Sequence, residues 1–224
     1  MKRCVAIVSG GIDSITLYYY LKNKEYNVDI LSFDYGAKHN AKELPMIEKH
    51  IIKCEDTHII IPLEFINEHF NSSLLKSGED IPEGHYEDEN MKSTVVPFRN
   101  GIMLSIAIGY AESKGISKVF LGSHAGDHAI YPDCRSIFTK AMSMAGTLGT
   151  YNEVQVVSPF NDLTKADIVS IGYGLNIKYE NTWSCYKGKN VHCGVCGTCV
   201  ERKEAFALSN LKDPTVYAEV KEVT

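Results

Sequence analysis

Long apolar runs and an excess of positive charge are both missing from this sequence. A membrane-spanning helix needs roughly 20 consecutive apolar residues, and no stretch approaches that length. The apolar start at residues 4–8 is interrupted at once by Ser9, Gly10 and Gly11, which is too early for a secretion signal. The 23 lysines and arginines are outnumbered by 28 aspartates and glutamates, whereas a phosphate backbone normally binds a basic surface. We therefore expect a cytoplasmic protein that partners neither a membrane nor a nucleic acid.

Internal repeats and low-complexity segments are also absent, and the 224 residues are enough to bury a hydrophobic core. Short apolar runs alternate with helical patterns along the chain. Predicted strands cover residues 4–8, 28–33, 57–61, 119–122 and 154–157, and predicted helices cover residues 14–21, 38–53, 101–114 and 163–171. Strands separated by helices predict an α/β fold, here a doubly wound, Rossmann-like sheet of five parallel strands. We expect this domain to span residues 1–178 and a small helical appendage to span residues 179–224.

A glycine-rich segment follows the first predicted strand and opens the first predicted helix. It consists of Ser9, Gly10, Gly11, Ile12, Asp13 and Ser14. The glycines let a ligand approach the backbone, and the free N–H groups of a helix start attract an anion. The two serines can add hydroxyl donors, and Asp13 can hold a magnesium ion or fix the loop. A plain connecting turn is the alternative, but the complete pattern favours a phosphate site that is neither a Walker loop nor a dinucleotide fingerprint.

Four of the seven cysteines crowd into one C-terminal segment, and an odd total fits poorly with a full set of disulfides. The four are Cys185, Cys193, Cys196 and Cys199. Four thiolates on short glycine-containing loops are typical of a closed, tetrahedral, structural zinc site. An iron–sulfur cluster is the main alternative because it uses the same ligands, and four merely buried cysteines are another. His192 can replace a ligand or be only a neighbour.

Several segments together resemble one enzyme family. The glycine-rich loop is similar to that of the ATP-pyrophosphatase superfamily, whose members cleave ATP between the α and β phosphates. The rest resembles the 7-cyano-7-deazaguanine synthases, from residue 5 to about residue 217. The matching segments are Val-Val-Pro-Phe-Arg-Asn at 95–100, Tyr-Pro-Asp-Cys-Arg at 131–135, Thr-Trp-Ser-Cys at 182–185 and His-Cys-Gly-Val-Cys-Gly-Thr-Cys-Val-Glu-Arg at 192–202.

This resemblance implies a fold, a reaction and a set of cofactors. The fold is the adenine-nucleotide α-hydrolase type of doubly wound sheet. ATP activates the carboxylate of 7-carboxy-7-deazaguanine, ammonia gives the amide, and a second activation of the amide oxygen leaves the nitrile. The product feeds queuosine or archaeosine synthesis. ATP, Mg²⁺ and Zn²⁺ are the implied cofactors, and a homodimer is the implied assembly. Because no room remains for a glutaminase domain, we expect free ammonium as the nitrogen donor.

Two cationic side chains are candidates for the chemistry of acid activation, along with Asp13 and Ser14. Lys165 follows the fifth predicted strand and is our candidate for contacting the phosphates. Arg99 opens a helix and can reach the nucleotide or the substrate carboxylate. Cationic groups of this kind screen the repulsion between a carboxylate and a triphosphate. Each can instead be an ordinary exposed charge.

Candidates for binding the deazaguanine lie at residues 124–135. Asp127 or Asp133 can accept hydrogen bonds from the N–H and amine edge of the ring, and Arg135 can hold the carboxylate bidentately. His124, with His128, can move the proton of ammonia near neutral pH. Asp133 as a simple turn residue and the histidines as packing residues are the alternatives. Trp183 can stack on a ring or, as we expect, pack beside the zinc loops.

The sequence departs from the family pattern at two places. Phe98 stands where several members carry glycine or asparagine, which affects the expected local shape of the nucleotide pocket. Ser136 and Ile137 replace the commoner Pro-Glu.

Three other functions are alternatives to the one that the resemblance implies. They are a related ligase that stops at the amide or acylates another amine, a tRNA sulfur transferase, and a non-enzymatic zinc-binding module.

Overall fold

A computed structural model describes residues 2–51, 56–85 and 88–219 of the chain. Its centre is one parallel sheet of five strands in the order β3-β2-β1-β4-β5. The strands are β1 (Lys2–Ile7), β2 (Tyr26–Asp34), β3 (Thr57–Pro62), β4 (Lys118–Phe120) and β5 (Gln155–Val157). All four pairings are parallel, with Val5 of β1 opposite Asp29 of β2 and Val119 of β4. The predicted doubly wound sheet is confirmed.

Helices cover both faces of this sheet. The α-helices are α1 (Ile12–Asn23), α2 (Asn40–Glu43), α3 (Glu64–His69), α4 (Arg99–Ser113), α5 (Ser136–Gly149), α6 (Lys165–Gly174) and α7 (Gly197–Leu208). Short 3₁₀ helices occur at Leu44–Lys49, Glu89–Thr94, Ala125–Ala129, Pro132–Cys134 and Tyr179–Asn181. Within the described ranges, none of the helices is long and apolar enough to cross a membrane.

Alternating side chains of β1 build the two halves of the core. Val5 and Ile7 point into a cluster that includes Leu104 of α4, whereas Cys4 and Ala6 point into a cluster that includes α1 and α6. Successive side chains of a strand face opposite sides of a sheet. An apolar run with no polar alternation is therefore what a strand buried on both faces requires.

The position of the candidate site follows from the point where the strand order of the sheet changes direction. The chain moves outward from β1 through β2 to β3 and then returns to the other side of β1 with β4 and β5. A crevice opens at the carboxyl ends of β1 and β4, because the connections leave these two neighbouring strands in opposite directions. Residues 9–14 and 121–124 follow these two strand ends and therefore meet at the crevice.

One predicted helix is wrong in extent. Instead of one helix over residues 38–53, the chain forms the single turn α2 and then the 3₁₀ helix Leu44–Lys49. Pro45 lies at the start of the 3₁₀ helix, where it has no N–H to donate to the preceding turn and its ring crowds the carbonyl there. Residues 52 and 53 lie outside the described residues.

The helix predicted over residues 163–171 begins two residues later, at Lys165. Thr164 is its N-cap: its Oγ1 accepts from the backbone N–H of Asp167, and the Asp167 carboxylate accepts from Thr164 N at 2.9 Å. This reciprocal capping box ends the extended segment sharply. It fixes Lys165 in the first turn of α6, next to the phosphate loop.

The C-terminal helix was expected only as part of a helical appendage, and its start carries two of the clustered cysteines. Cys196 is the N-cap of α7 and Cys199 lies in the first turn. Both pack, with Cys185, in the same apolar cluster as Val5. The proposed boundary between residues 178 and 179 stays a prediction.

Candidate active site and metal centre

The phosphate loop has the backbone that its glycines predict. Gly10 has a φ of 101°, in the left-handed region, and an added Cβ would collide with the carbonyl oxygen of Glu43. Gly11 is the N-cap of α1, and no side chain in the described part of the chain caps that helix start. The Ser14 hydroxyl accepts from Ser9 N at 3.1 Å. The first turn of α1 therefore offers backbone N–H groups to an anion.

Lys165 lies over this loop between two carboxylates. Its Nζ is 3.0 Å from Asp13 Oδ2 and 2.9 Å from Glu201 Oε2. Burial opposes the charge of Lys165, but Asp13 and Glu201 raise its pKa above the ordinary range. Burial likewise favours a neutral Asp13, yet the charge of Lys165 lowers the net pKa of that carboxyl. Both groups are thus ionised at neutral pH.

Asp13 retains one oxygen for a further partner. Its Oδ1 is buried and has no hydrogen-bond partner within residues 2–51, 56–85 and 88–219. A buried carboxylate oxygen rarely lacks a partner, because leaving it unpaired costs free energy. Mg²⁺ prefers carboxylate and phosphate oxygens. The residue present therefore fits a magnesium ion carried in with a nucleotide.

Arg99 reaches the same cavity from the start of α4. Its Nη1 donates to the Tyr35 hydroxyl at 2.9 Å, and its guanidinium lies 5.3 Å from the centre of the Tyr35 ring. The preceding residue, Phe98, has a φ of 53°. Glycine and asparagine adopt this left-handed conformation more readily than phenylalanine, which explains why they suit this position.

The cavity beyond the strand ends has a volume of about 200 Å³. It is bounded by the phosphate loop, the start of α4, the loops after β2 and β4, and the cysteine-bearing segment. The polar or aromatic side chains that line it include Ser9, Asp13, Tyr35, His39, Glu43, Arg99, Ser123, Asp127, Tyr131, Lys165, Trp183 and Tyr186. The cavity thus joins a phosphate site to a wall of aromatic and carboxylate groups.

Two groups of this wall were not singled out from the sequence. Glu43 Oε1 accepts from the Ser9 hydroxyl at 2.8 Å, and His39 Nε2 lies 3.4 Å from Glu43 Oε2. Burial raises the pKa of Glu43 to about 7 and lowers the pKa of His39 to about 3. Their spacing of four residues in a helical pattern was the one available signal, because it places both on one face.

The structure brings only some of the predicted substrate residues to the cavity. Asp127 lines the cavity. The Asp133 carboxylate accepts from the backbone N–H of Asn100 at 2.8 Å and so holds the start of α4. Arg135 is exposed, donates from Nε to the carbonyl of His128 at 3.1 Å, and does not line the cavity. Their roles in binding a deazaguanine stay predictions.

His124 lies behind the cavity wall. Its ring is buried and contacts Lys165 Nζ at 3.4 Å, Asp127 Oδ1 at 3.5 Å and Glu201 Oε1 at 3.7 Å. Glu201, which sequence reasoning gave no role, is part of the motif at residues 192–202. The carboxylates and His124 together hold Lys165 in place.

The four clustered cysteines are brought together in a geometry that could hold a metal ion. Their sulfur atoms all lie within 4.8 Å of one another, and Cys193 Sγ is 4.0 Å from Cys199 Sγ. Tetrahedral zinc with Zn–S bonds of about 2.3 Å places sulfurs about 3.8 Å apart. The four residues therefore suit a zinc ion. His192 accepts from Ser184 N through Nε2 at 3.0 Å, which makes it a neighbour of the centre.

Trp183 connects this centre to the phosphate loop. Its backbone N donates to Gly10 O at 3.0 Å, its ring Nε1 donates to Cys185 O at 2.8 Å, and the ring packs on His192. The metal centre and the loop are thus joined through a single residue. The expected packing role of Trp183 accounts for these contacts.

A phosphate loop at the switch point of a doubly wound sheet, with a lysine–aspartate pair above it and a four-cysteine centre beside it, defines a class of α/β phosphate-loop enzymes. The chain matches the family model described as Queuosine biosynthesis protein QueC over residues 3–210 and belongs to that family.

Curated relatives extend over nearly the whole chain. The chain is 55% identical over 217 residues to a 7-cyano-7-deazaguanine synthase of Porphyromonas gingivalis, covering 96% of this chain and 97% of that one. A 7-cyano-7-deazaguanine synthase of Desulfotalea psychrophila is 51% identical over 220 residues, covering 97% and 99%. One of Methanoregula boonei is 47% identical over 215 residues, covering 96% and 99%.

Proposed function

We propose that this protein converts 7-carboxy-7-deazaguanine and ammonia into 7-cyano-7-deazaguanine, using ATP and passing through an adenylated acid and an amide. The observation that carries this proposal is the pairing of the phosphate loop with Lys165 beside a cavity for a small acid, in a chain 55% identical to a relative of that name. The product would serve queuosine or archaeosine synthesis.

Adenylation begins with the triphosphate at the start of α1. The backbone N–H groups of residues 9–14 and the ammonium group of Lys165 would hold the phosphates, so that the α-phosphorus faces the cavity. Asp13 Oδ1 would hold Mg²⁺, which would neutralise part of the charge of the phosphates. Ser9 and Ser14 would add hydroxyl donors. Lys165 then exchanges part of its pairing with Asp13 and Glu201 for pairing with ATP.

The substrate acid would bind against the aromatic side chains that line the cavity. Arg99, whose guanidinium donates to the Tyr35 hydroxyl, would hold the substrate carboxylate near the α-phosphorus. Asp127 would accept the N–H and amine edge of the ring, since it lines the cavity. Asp133 and Arg135 lie less favourably, because the first is hydrogen-bonded to α4 and the second is exposed.

The four cysteines would hold zinc in a structural role. A closed four-thiolate site leaves no open position for a reactant. The zinc would therefore fix the turn that carries Trp183 against Gly10.

We further propose a cytoplasmic homodimer that uses free ammonium. The free thiols of Cys4 and Cys134 suit a reducing compartment. Helix α5 supports a dimer, because it exposes Ile137, Met144 and Leu148 at 78%, 65% and 81% on one face. Exposed apolar patches of this kind mark association surfaces. A second copy of the chain, bringing the same face, would cover them.

Product identification tests the function directly. The protein is incubated with 7-carboxy-7-deazaguanine, ATP, Mg²⁺ and ammonium, and the product is analysed by mass spectrometry. A nitrile supports the proposal. The amide as sole final product indicates a ligase that stops after one activation. Activity that requires glutamine and a second protein contradicts the assignment of free ammonium as donor.

A further inference from the structure

Glu43 brings a carboxyl group to the phosphate loop that phosphate binding does not need. Its Oε1 lies 2.8 Å from Ser9 Oγ, and a Cβ built on Gly11 would lie 3.0 Å from the same oxygen. The side chain is only 14% exposed. A carboxylate here repels a bound triphosphate. Its place in the cavity wall therefore points to a positively charged or proton-bearing ligand.

His39 supplies a second unexplained group one helical turn earlier. Its side chain is 6% exposed, and Nδ1 is buried with no hydrogen-bond partner among the residues that the structure describes. Nε2 faces Glu43 Oε2 at 3.4 Å, and the centre of the Tyr186 ring lies 5.3 Å from that of His39. A neutral imidazole that shares its one proton with a carboxylate keeps a lone pair on the other nitrogen. In His39 this nitrogen is Nδ1, which can accept a hydrogen bond but has no donor within the described residues.

Ammonium is the small ligand whose chemistry matches this wall. It carries four N–H donors and a positive charge, and it must lose a proton before its nitrogen can attack. A carboxylate, a free imidazole lone pair and an aromatic face are the groups that attract such a cation.

Resting on the proposed function, we propose that His39 and Glu43 bind the ammonium that serves as nitrogen donor, and that Glu43 is the base that takes its proton. The nitrogen then forms a bond to the carbonyl carbon of the acyl adenylate. The bond from that carbon to the AMP oxygen breaks, and AMP leaves with the electron pair. Of the two protons lost between ammonium and the amide, Glu43 takes the first and the departing phosphate takes the second.

The histidines of the loop after β4 are less suited to this role. His124 is enclosed by Lys165, Asp127 and Glu201, and His128 Nε2 lies 3.2 Å from Asn161 Oδ1. Neither lines the cavity. The proton transfer first suggested for them is assigned here to the His39–Glu43 pair.

The variant Glu43→Gln tests adenylation and amide formation separately. The amide can still accept from Ser9, so exchange of pyrophosphate into ATP that depends on the deazaguanine acid should stay within about twofold of wild type. Amide formation from ammonium should fall about 10²- to 10⁴-fold, which is the usual contribution of a general base. Hydroxylamine, which is unprotonated at neutral pH, should restore acyl transfer. Glu48→Gln, in the 3₁₀ helix that follows α2 and at an exposed position, is the matched control.

His39→Phe tests the binding half of the proposal. The ring can still pack on Tyr186, but both nitrogens are lost, so the KM for ammonium should rise about tenfold with pyrophosphate exchange retained. Thermal unfolding of each variant checks that the fold is intact.

The outcomes separate this inference from the proposed function. Wild-type protein without acid-dependent exchange refutes the function itself. Amide formation by Glu43→Gln at the wild-type rate refutes the base. Equal loss of exchange and amide formation also refutes it, because Glu43 would then act in adenylation.

Discussion

Lys165 and Asp13 form an ion pair of 3.0 Å that joins the first turn of α6 to the phosphate loop. Glu201 of α7 pairs with the same ammonium group at 2.9 Å. Three helices that are distant in sequence therefore converge on one cation. The arrangement holds Lys165 in position before nucleotide arrives, which lowers the cost of ordering it on binding.

Replacing Lys165 with methionine should lower both the activity with ATP and the stability of the fold. We expect kcat/KM for ATP to fall about 10²- to 10³-fold, because one fixed donor to the developing charge is lost. Stability should fall by on the order of 2–3 kcal/mol, since Asp13 and Glu201 remain as buried carboxylates without their cation. Steady-state kinetics with ATP and Mg²⁺ measures the first effect and denaturant unfolding the second, and calorimetry with an ATP analogue gives the nucleotide affinity.

Lys178→Met is the control for this variant, because Lys178 is an exposed lysine outside the cavity. It should leave nucleotide affinity and stability unchanged. An unaltered affinity in Lys165→Met would show that the lysine serves only to neutralise the two carboxylates.

Local patterns in the sequence predict the parts of the site that a single segment builds. Residues 9–14 form a phosphate loop because one strand, two glycines and one helix start are enough for it. The four cysteines are close in sequence, so short loops alone bring them together. Lys165 could be proposed from its place after a strand.

The partners of Lys165 and the His39–Glu43 pair depend on the topology of the sheet. Glu201 meets Lys165 only because α7 returns to pack on α6. Arg135 was proposed for its charge, but the turn at Pro132–Cys134 leaves it exposed. The helix α5 was not predicted, because its apolar residues lie on two faces: Phe138 and Met142 pack against the core, whereas Ile137, Met144 and Leu148 are exposed.

Cys196→Ala should lose the metal and loosen the C-terminal region. Its sulfur is fully buried within the four-cysteine centre, and loss of a structural metal is among the few changes that cost more than about 4 kcal/mol. Metal analysis of the purified variant should find less than the wild-type amount of zinc. Visible absorbance of the wild-type protein would instead indicate an iron–sulfur cluster.

Cys4→Ala is the matched control, because Cys4 is an equally buried cysteine in β1 that lies outside the centre. We expect a packing loss of about 1 kcal/mol with full metal content. Full zinc in Cys196→Ala would contradict the assignment of four ligands.

The stability difference between Glu43→Gln and wild type should depend on pH. Burial raises the pKa of Glu43 to about 7 in the folded protein, whereas the unfolded chain ionises at the lower, ordinary value of glutamate. The stability that the protonated carboxyl provides is present at acidic pH and is lost as pH rises through about 7. Between about pH 5 and about pH 8, Glu43→Gln should therefore gain up to about 3 kcal/mol over wild type.

Denaturant unfolding of both proteins across this range measures the effect, with Glu48→Gln as the control for the same substitution at an exposed position. A constant difference between Glu43→Gln and wild type would mean that Glu43 ionises as an ordinary exposed glutamate does.

Helix α5 gives a test of the proposed dimer. Its 14 residues include one charged side chain, Lys140, and Leu148 is 81% exposed on the face that also carries Ile137 and Met144. Leu148→Asp places a charge on the surface that a second copy would cover, which costs several kcal/mol in a desolvated contact. We expect sedimentation equilibrium to give the monomer mass for this variant.

Leu208→Asp is the matched control, because Leu208 is 76% exposed on α7, on a different element from the proposed interface. It should keep the dimer mass, since an exposed leucine outside an interface tolerates a charge with little cost. Loss of the dimer in both variants would point to general destabilisation. A dimer that persists in Leu148→Asp would move the interface away from α5, because an unpaired carboxylate buried in an apolar contact is strongly destabilising.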